Sequence, residues 1–146
     1  MYDIILKLHS YWAYLVLIIL IIAVANALIK VFGDKEYEAK DFRIALFTLI
    51  LSHIQLLIGL VLYFVSPRFE LWGEMGGEVM KNAVARLYLV EHPFVNILAI
   101  ALITIGYSKH KKKLTSKAKL KPIAIFYSLA LVLFLSRIPW NSWLNF

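Results

Sequence analysis

The runs YWAYLVLIILIIAVANALI (Tyr11–Ile29) and IALFTLILSHIQLLIGLVLYFV (Ile44–Val65) contain no Asp, Glu, Lys or Arg. At about 1.5 Å per residue, each reaches across a hydrocarbon layer roughly 30 Å thick. Two further apolar runs, Ala83–Tyr107 and Ile123–Ser136, are less regular. The stretch from Pro93 to Tyr107 is too short to span alone. The third helix therefore starts near Ala83 and bends at Pro93, or His92 stands at a helix N-terminus with Pro93 in the first turn. The fourth run draws on Arg137, Ile138 and Trp140 to reach the far interface. Because lipid leaves no backbone group unpaired, the expected fold is all-α integral membrane: a single domain over 1–146, an antiparallel four-helix transmembrane bundle. Its helices are expected at about 4–31, 43–66, 83–108 and 122–138.

The rest of the composition points the same way. Of 146 residues, 62% are hydrophobic and only 17% charged, against the 45–50% apolar content of ordinary soluble domains. Mean hydropathy is +0.76, which excludes a cytoplasmic enzyme domain with a water-facing surface. The absence of Cys excludes disulfides, thiolate metal sites, iron–sulfur clusters and covalent haem attachment. Ala23-Val24-Ala25 and Ala25-Asn26-Ala27 resemble signal-peptide cleavage sites, but the apolar run before them exceeds the 7–15 residues of a signal h-region, so a retained helix is expected.

The net charge of +7 reads as membrane orientation, not nucleic-acid binding. Lys30, Lys35, Lys40 and Arg43 lie between helices 1 and 2, and Lys109, Lys111, Lys112, Lys113, Lys117, Lys119 and Lys121 between helices 3 and 4. The opposite side holds Lys7, Arg68, Lys81, Arg86 and Arg137. The positive-inside rule then puts both basic loops in the cytoplasm and both termini outside. Trp12, Trp72, Trp140 and Trp143 fall near that external interface, as aromatic belts do. Met75 and Met80, beside Glu74 and Glu78, read as a partly buried amphipathic turn in preference to a soft-metal site.

Ionisable groups inside a span are costly and mark functional positions. His9, His53, Glu91, His92 and Arg137 are the candidates, whereas His110, in the Lys-rich loop, reads as an ordinary solvated residue. His92 leads a face of Asn96, Ala99, Ile103 and Gly106; His9 leads one of Ala13, Val16, Leu20, Ala23 and Ala27. Both faces are expected to point inward, on helices that lie diagonally across the bundle. A neutral imidazole from each is the minimal cysteine-free way to bind a haem iron axially. Counting along the helices leaves His9 and His92 offset by roughly 8 Å in depth, with His53 displaced by as much the other way. Helix 2 carries a polar and small stripe of Ala45, Thr48, Ser52, Gln55, Gly59 and Ser66, about 130° from His53. If that stripe faces the centre, His53 faces another helix or another protein; if it packs on a neighbour, His53 reaches the centre. Arg137, level with His92, reads as an interface anchor or as a partner for haem propionates, with Arg86 and Lys81 as alternative partners; Glu91 reads as neutralising Arg137 or as accepting a proton from an imidazole.

At Leu8-His9-Ser10-Tyr11-Trp12-Ala13-Tyr14, Ser52-His53-Ile54-Gln55-Leu56-Leu57-Ile58-Gly59-Leu60, Glu91-His92-Pro93 and Ser136-Arg137-Ile138-Pro139-Trp140 the sequence resembles a family of small four-helix membrane proteins from Bacteroidetes-type bacteria, often labelled cytochrome b. A fainter similarity, in the intramembrane histidines and the Gln55-to-Gly59 spacing, is to one half of the haem A synthase bundle. Synthase activity is not implied, because the second half is missing. The residues and the resemblance together give the expected function: non-covalent binding of haem b (protohaem) by His9 and His92, with His53 as alternative ligand and Gly59, Asn96 and Arg137 around it. The expected setting is electron transfer or a respiratory complex in the lipid bilayer, with a quinol or other membrane redox subunits as partners. The competing expectation is an accessory subunit whose histidines only hydrogen-bond between helices, and a third is a small metal-ion or proton-handling protein.

Overall fold

The computed structural model describes residues 1–143, and among them there is no strand. Four helices are long and apolar enough to cross a membrane: α1 (Tyr2–Phe32), α2 (Ala39–Val65), α3 (Ala83–Lys112) and α4 (Ser116–Ser136). α1 packs on α2 and α4, and α3 packs on the same two. α1 and α3 are therefore diagonal, as are α2 and α4. The central faces are lined by small or compact residues: Val16, Ala23 and Ala27 of α1, Ala45 of α2, Ala99 and Ile103 of α3, and Ala130 of α4. Small side chains let helix backbones come close where no water is available to drive association. At this centre Tyr127 is fully buried, and its hydroxyl donates to the Ala45 carbonyl at 2.8 Å, tying α4 to α2 across the diagonal.

Several boundaries differ from the sequence expectation: α2 begins at Ala39 and not 43, α3 runs to Lys112 and not 108, and α4 differs at both ends. α4 begins at Ser116, six positions before the expected start at 122, because the Thr115 hydroxyl caps it by accepting from Ala118 N–H at 3.3 Å. Lysines are good helix formers, and Pro122 is carried inside the helix. The far end stops at Ser136, so Arg137, Ile138 and Trp140 are not part of it. α3 combines the two arrangements expected of it: the helix starts at Ala83, passes through a π-helical turn at Leu87–Glu91, and becomes regular at His92 with Pro93 in its first turn.

The two basic loops meet at one end. Tyr37 N–H donates to Ser116 Oγ at 2.9 Å, and Lys117 pairs with Asp34 at 3.5 Å. Beneath them, Lys30 is buried with its ammonium 2.7 Å from Asp41 Oδ2, while Asn26 donates to Asp41 Oδ1 at 2.6 Å. The solvated reading of His110 is overturned here. Its side chain is fully buried against Tyr37, Phe42 and Tyr107. Nδ1–H donates to the Tyr107 carbonyl at 2.6 Å, and Nε2 meets the Tyr37 hydroxyl at 3.0 Å. The physical reason is that Tyr37, from the other loop, supplies a lid and a partner that no local pattern reveals.

At the opposite end the chain from Pro67 to Lys81 folds as three short helical turns. They close over a small apolar cluster of Val79, Ala85 and Leu89, packed against Tyr63, Trp72 and Met75. Met75 thus packs as the expected amphipathic turn requires.

Candidate functional site

Helices α1 and α3 bring His9 and His92 together: their ring centres are 6.1 Å apart and their planes cross at 79°. The expected 8 Å depth offset is not found. That count started all helices level at Ile29 and Tyr107, whereas α1 continues to Phe32 and α3 to Lys112. Counted from those ends, the offset falls to roughly 4–5 Å, which side chains bridge. Both inward faces are as expected: Val16, Leu20, Ala23 and Ala27 behind His9, and Ala99, Ile103 and Gly106 behind His92, are buried.

The His92 ring is held by its neighbours, whereas the His9 ring makes no hydrogen bond through Nδ1. His92 Nδ1 lies 2.8 Å from the Arg137 carbonyl. A carbonyl only accepts, so Nδ1 carries the hydrogen and Nε2 keeps its lone pair. The Asn96 amide nitrogen, one turn on, stands 3.0 Å from Nδ1 and 3.3 Å from Nε2. On the facing side α2 contributes Gln55 and Gly59, also one turn apart. Gln55 donates to the His9 carbonyl at 2.9 Å. A Cβ at Gly59 would come within 3.3 Å of His9 Cε1, so the absent side chain makes room for the ring.

Among the described residues, five buried side-chain polar atoms have no hydrogen-bond partner, and three of them, His9 Nδ1, Gln55 Oε1 and Asn96 Oδ1, surround this pair. Each such atom costs about 1–3 kcal/mol. Three at one place make a polar cluster to which α1, α2 and α3 contribute side chains, beside the carbonyl of Arg137, the residue that follows α4. Two imidazoles, one with its tautomer set by a backbone carbonyl, form a donor set suited to a metal held from two sides. Among the described residues no three His, Cys, Asp or Glu side chains form a metal-binding group, so a bare-ion site finds no support.

The turn before His92 has an identifiable cause. Pro93 has no N–H to offer the carbonyl four residues back, that of Leu89. Tyr63 O–H donates to this Leu89 carbonyl at 2.9 Å, and Trp72 Nε1–H donates to Tyr63 Oη at 2.9 Å. The relay ties the segment between α2 and α3 to the backbone just ahead of the histidine. π-turns of this kind recur at functional sites. Neither Tyr63 nor Trp72 was singled out as a partner by sequence reasoning, although the carbonyl freed by Pro93 was the available signal.

The remaining candidates lie as follows. Arg137 is exposed; its Nη1 donates to the Ser136 carbonyl at 2.8 Å and its Nε stands 3.6 Å from Glu91 Oε1. Arg86 Nε holds the other oxygen, Glu91 Oε2, at 2.7 Å, and Lys81 pairs with Glu78 at 3.4 Å. Glu91 is thus set between two guanidinium groups, the neutralising role expected of it. His53 is not brought to the pair. The α2 stripe of Ala45, Thr48 and Ser52 is buried, which leaves His53 exposed. Its Nδ1–H donates to the Leu49 carbonyl at 2.8 Å, and Nε2 lies 3.4 Å from Thr104 Oγ1 on α3. Compared with protein-family models, curated proteins and solved structures, the chain matches none.

Proposed function

We propose that this is a multi-pass membrane protein, an antiparallel four-helix bundle that binds one haem b non-covalently between His9 and His92 and serves membrane electron transfer. It works alone or as the haem-bearing subunit of a respiratory complex. The observation that carries the reading is the imidazole pair with centres 6.1 Å apart on diagonal helices. At that separation one nitrogen from each imidazole would be in reach of a metal held between the two rings. Two donors are also the number that a porphyrin-bound iron leaves to the protein. When bound, the haem supplies one-electron chemistry.

The chain's own residues do the rest. The Arg137 carbonyl fixes the His92 tautomer, Gly59 leaves space beside His9, and Asn96 and Gln55 offer polar atoms that lack partners. Arg86 and Arg137 put guanidinium groups at this end of the molecule, where they suit the carboxylates of a haem edge. A single site toward one end does not carry an electron across the whole bilayer, so a quinol or another redox subunit is the natural partner. The bias of Lys and Arg toward the two touching loops supports cytoplasmic loops, periplasmic termini and a bacterial inner membrane.

The test is the visible spectrum of protein purified from haem-replete cells. A Soret band that shifts on reduction is expected. His92→Ala abolishes it, His9→Ala abolishes it or leaves a high-spin five-coordinate form, and His53→Ala leaves it unchanged. A colourless wild-type preparation overturns the reading in favour of an accessory subunit, whose histidines serve only the interhelical bonds that His92 already makes to Arg137 and His53 to Thr104.

A further inference from the structure

A second feature lies at the other end of the molecule, away from the histidine pair. A cleft of about 330 Å³ opens between the end of α3 and the beginning of α4, with Lys109, Lys113 and Lys121 around it and Pro122, Ile125 and Phe126 among its apolar lining. All three lysines are exposed, and among the described residues none has a carboxylate or hydrogen-bond partner. Their neighbours differ. Lys30 is buried on Asp41, Lys117 pairs with Asp34, Lys119 donates to the His110 carbonyl, and Lys111 lies over the Tyr107 ring. Three unneutralised ammonium groups therefore line one cleft, whereas the other partnerless lysines of the basic end, Lys35, Lys40 and Lys112, lie outside it.

The cleft continues as an apolar track. One turn below Lys109 on α3 stands Ile105, and further along the same face Leu98, exposed by 42% and 43%. On α4, Ile125 is followed at helical spacing by Leu129 and Val132, exposed by 46%, 50% and 63%. Both rows run away from the lysines toward the middle of the spans. Gly106 keeps the two helices close here: a Cβ on it would stand 2.7 Å from Phe126 Cβ and 3.3 Å from the Pro122 carbonyl. A cationic mouth above a two-walled apolar groove is complementary to an amphiphile with an anionic head and a hydrocarbon tail. The N-terminus of α4 adds its partial positive charge on the same side.

We infer that this cleft is a specific site for one anionic phospholipid, its headgroup phosphate on Lys109, Lys113 and Lys121 and its acyl chain along the α3–α4 groove. The inference rests on the four helices crossing a membrane, and it is independent of whether haem is bound. Basic pockets between spans recognise anionic headgroups in this way. The site takes intact lipid, not free phosphate, because most of its lining is apolar: Ala118, Pro122, Ile125 and Phe126 stand beside the three lysines.

The full chain, purified in a neutral detergent, is titrated with phosphatidylglycerol or phosphatidylcholine and its lipid adducts are counted by native mass spectrometry. One saturable phosphatidylglycerol adduct is expected, with phosphatidylcholine weaker and inorganic phosphate unable to displace it. The variant K109Q/K113Q/K121Q should lose affinity on the order of a hundredfold, the scale set by three basic groups that no longer meet an anionic headgroup. A control with the same charge change outside the cleft, K35Q/K40Q/K112Q, should stay near wild type. These positions are exposed, so folding is not at stake. Equal loss in both variants, absence of headgroup preference, or displacement by inorganic phosphate overturns the proposal. Purification of the chain without detergent would instead overturn the membrane reading beneath it.

Discussion

The buried pair Lys30 and Asp41 has side chains only 7% and 1% exposed. A charge buried at such a position tolerates its counterion and little else. The ammonium also donates to the Glu36 carbonyl at 3.0 Å, and Asp41 accepts from Glu38 N–H at 2.7 Å as part of the cap that starts α2. Removing one partner strands the other, so Lys30→Met and Asp41→Asn should each lower stability by about 3 kcal/mol. The double variant should cost clearly less than the sum of the two. Thermal unfolding in detergent measures the cycle, and strict additivity would show the pair to be uncoupled. Nearby, the Tyr37 phenol is pushed up to about 12, first by burial and then by the charge of Asp41 and the neighbouring Tyr107. A group whose proton is held more tightly in the folded state contributes stability that is present below its ordinary pKa near 10 and lost as pH rises toward 12. Wild-type stability should therefore fall more steeply over pH 10–12 than that of Tyr37→Phe, in melting curves collected across that window.

At the scale of single elements, α3 and α4 are set by their prolines and one glycine. Pro93 produces the π-helical turn that Tyr63 and Trp72 stabilise, and this fixes where His92 stands relative to Arg137. Gly106 lies where the two helices leave no room for a side chain. Gly106→Ala would place a methyl group 2.7 Å from Phe126 Cβ, a group too near its own backbone to swing away. The helices must part, at a cost of about 1–3 kcal/mol. Serine at the same position should be at least as harmful. Thermal melts of the two variants check this, and wild-type stability in Gly106→Ala would mean that the groove opens freely.

For the whole molecule, the contact order α1–α2–α3–α4 in a closed ring decides which residues come together. It makes α1 and α3 diagonal, joins the two basic loops through Tyr37 and Ser116, and separates the histidine pair at one end from the lysine cleft at the other. The orientation proposed from the Lys and Arg bias predicts that an alkaline phosphatase fused after Phe146 is active in intact cells, whereas a fusion within the Lys111–Thr115 loop is not. The reverse pattern would invert the topology and put the histidine pair at the cytoplasmic face.

Hydropathy and spacing alone identified the four helices long and apolar enough to cross a membrane, the start of the third near Ala83 with Pro93 in the turn after His92, and the inward faces headed by His9 and His92; the π-helical turn itself was not legible. The legible features are local properties: an apolar run needs an apolar environment, and a helix repeats every 3.6 residues whatever surrounds it. Helix extent was less legible, because caps such as Thr115 and extensions such as Phe32 and Lys112 lie in polar sequence, where hydropathy carries no signal. That error displaced His9 from His92 on paper. Only the tertiary structure decided that His110 is buried, that Lys30 finds Asp41, that Tyr63 serves the Leu89 carbonyl and that His53 turns away from the centre. Each of these depends on a partner far along the chain, brought within hydrogen-bond reach by the pairing of helices, and no residue's own sequence neighbourhood encodes which helix will lie beside it.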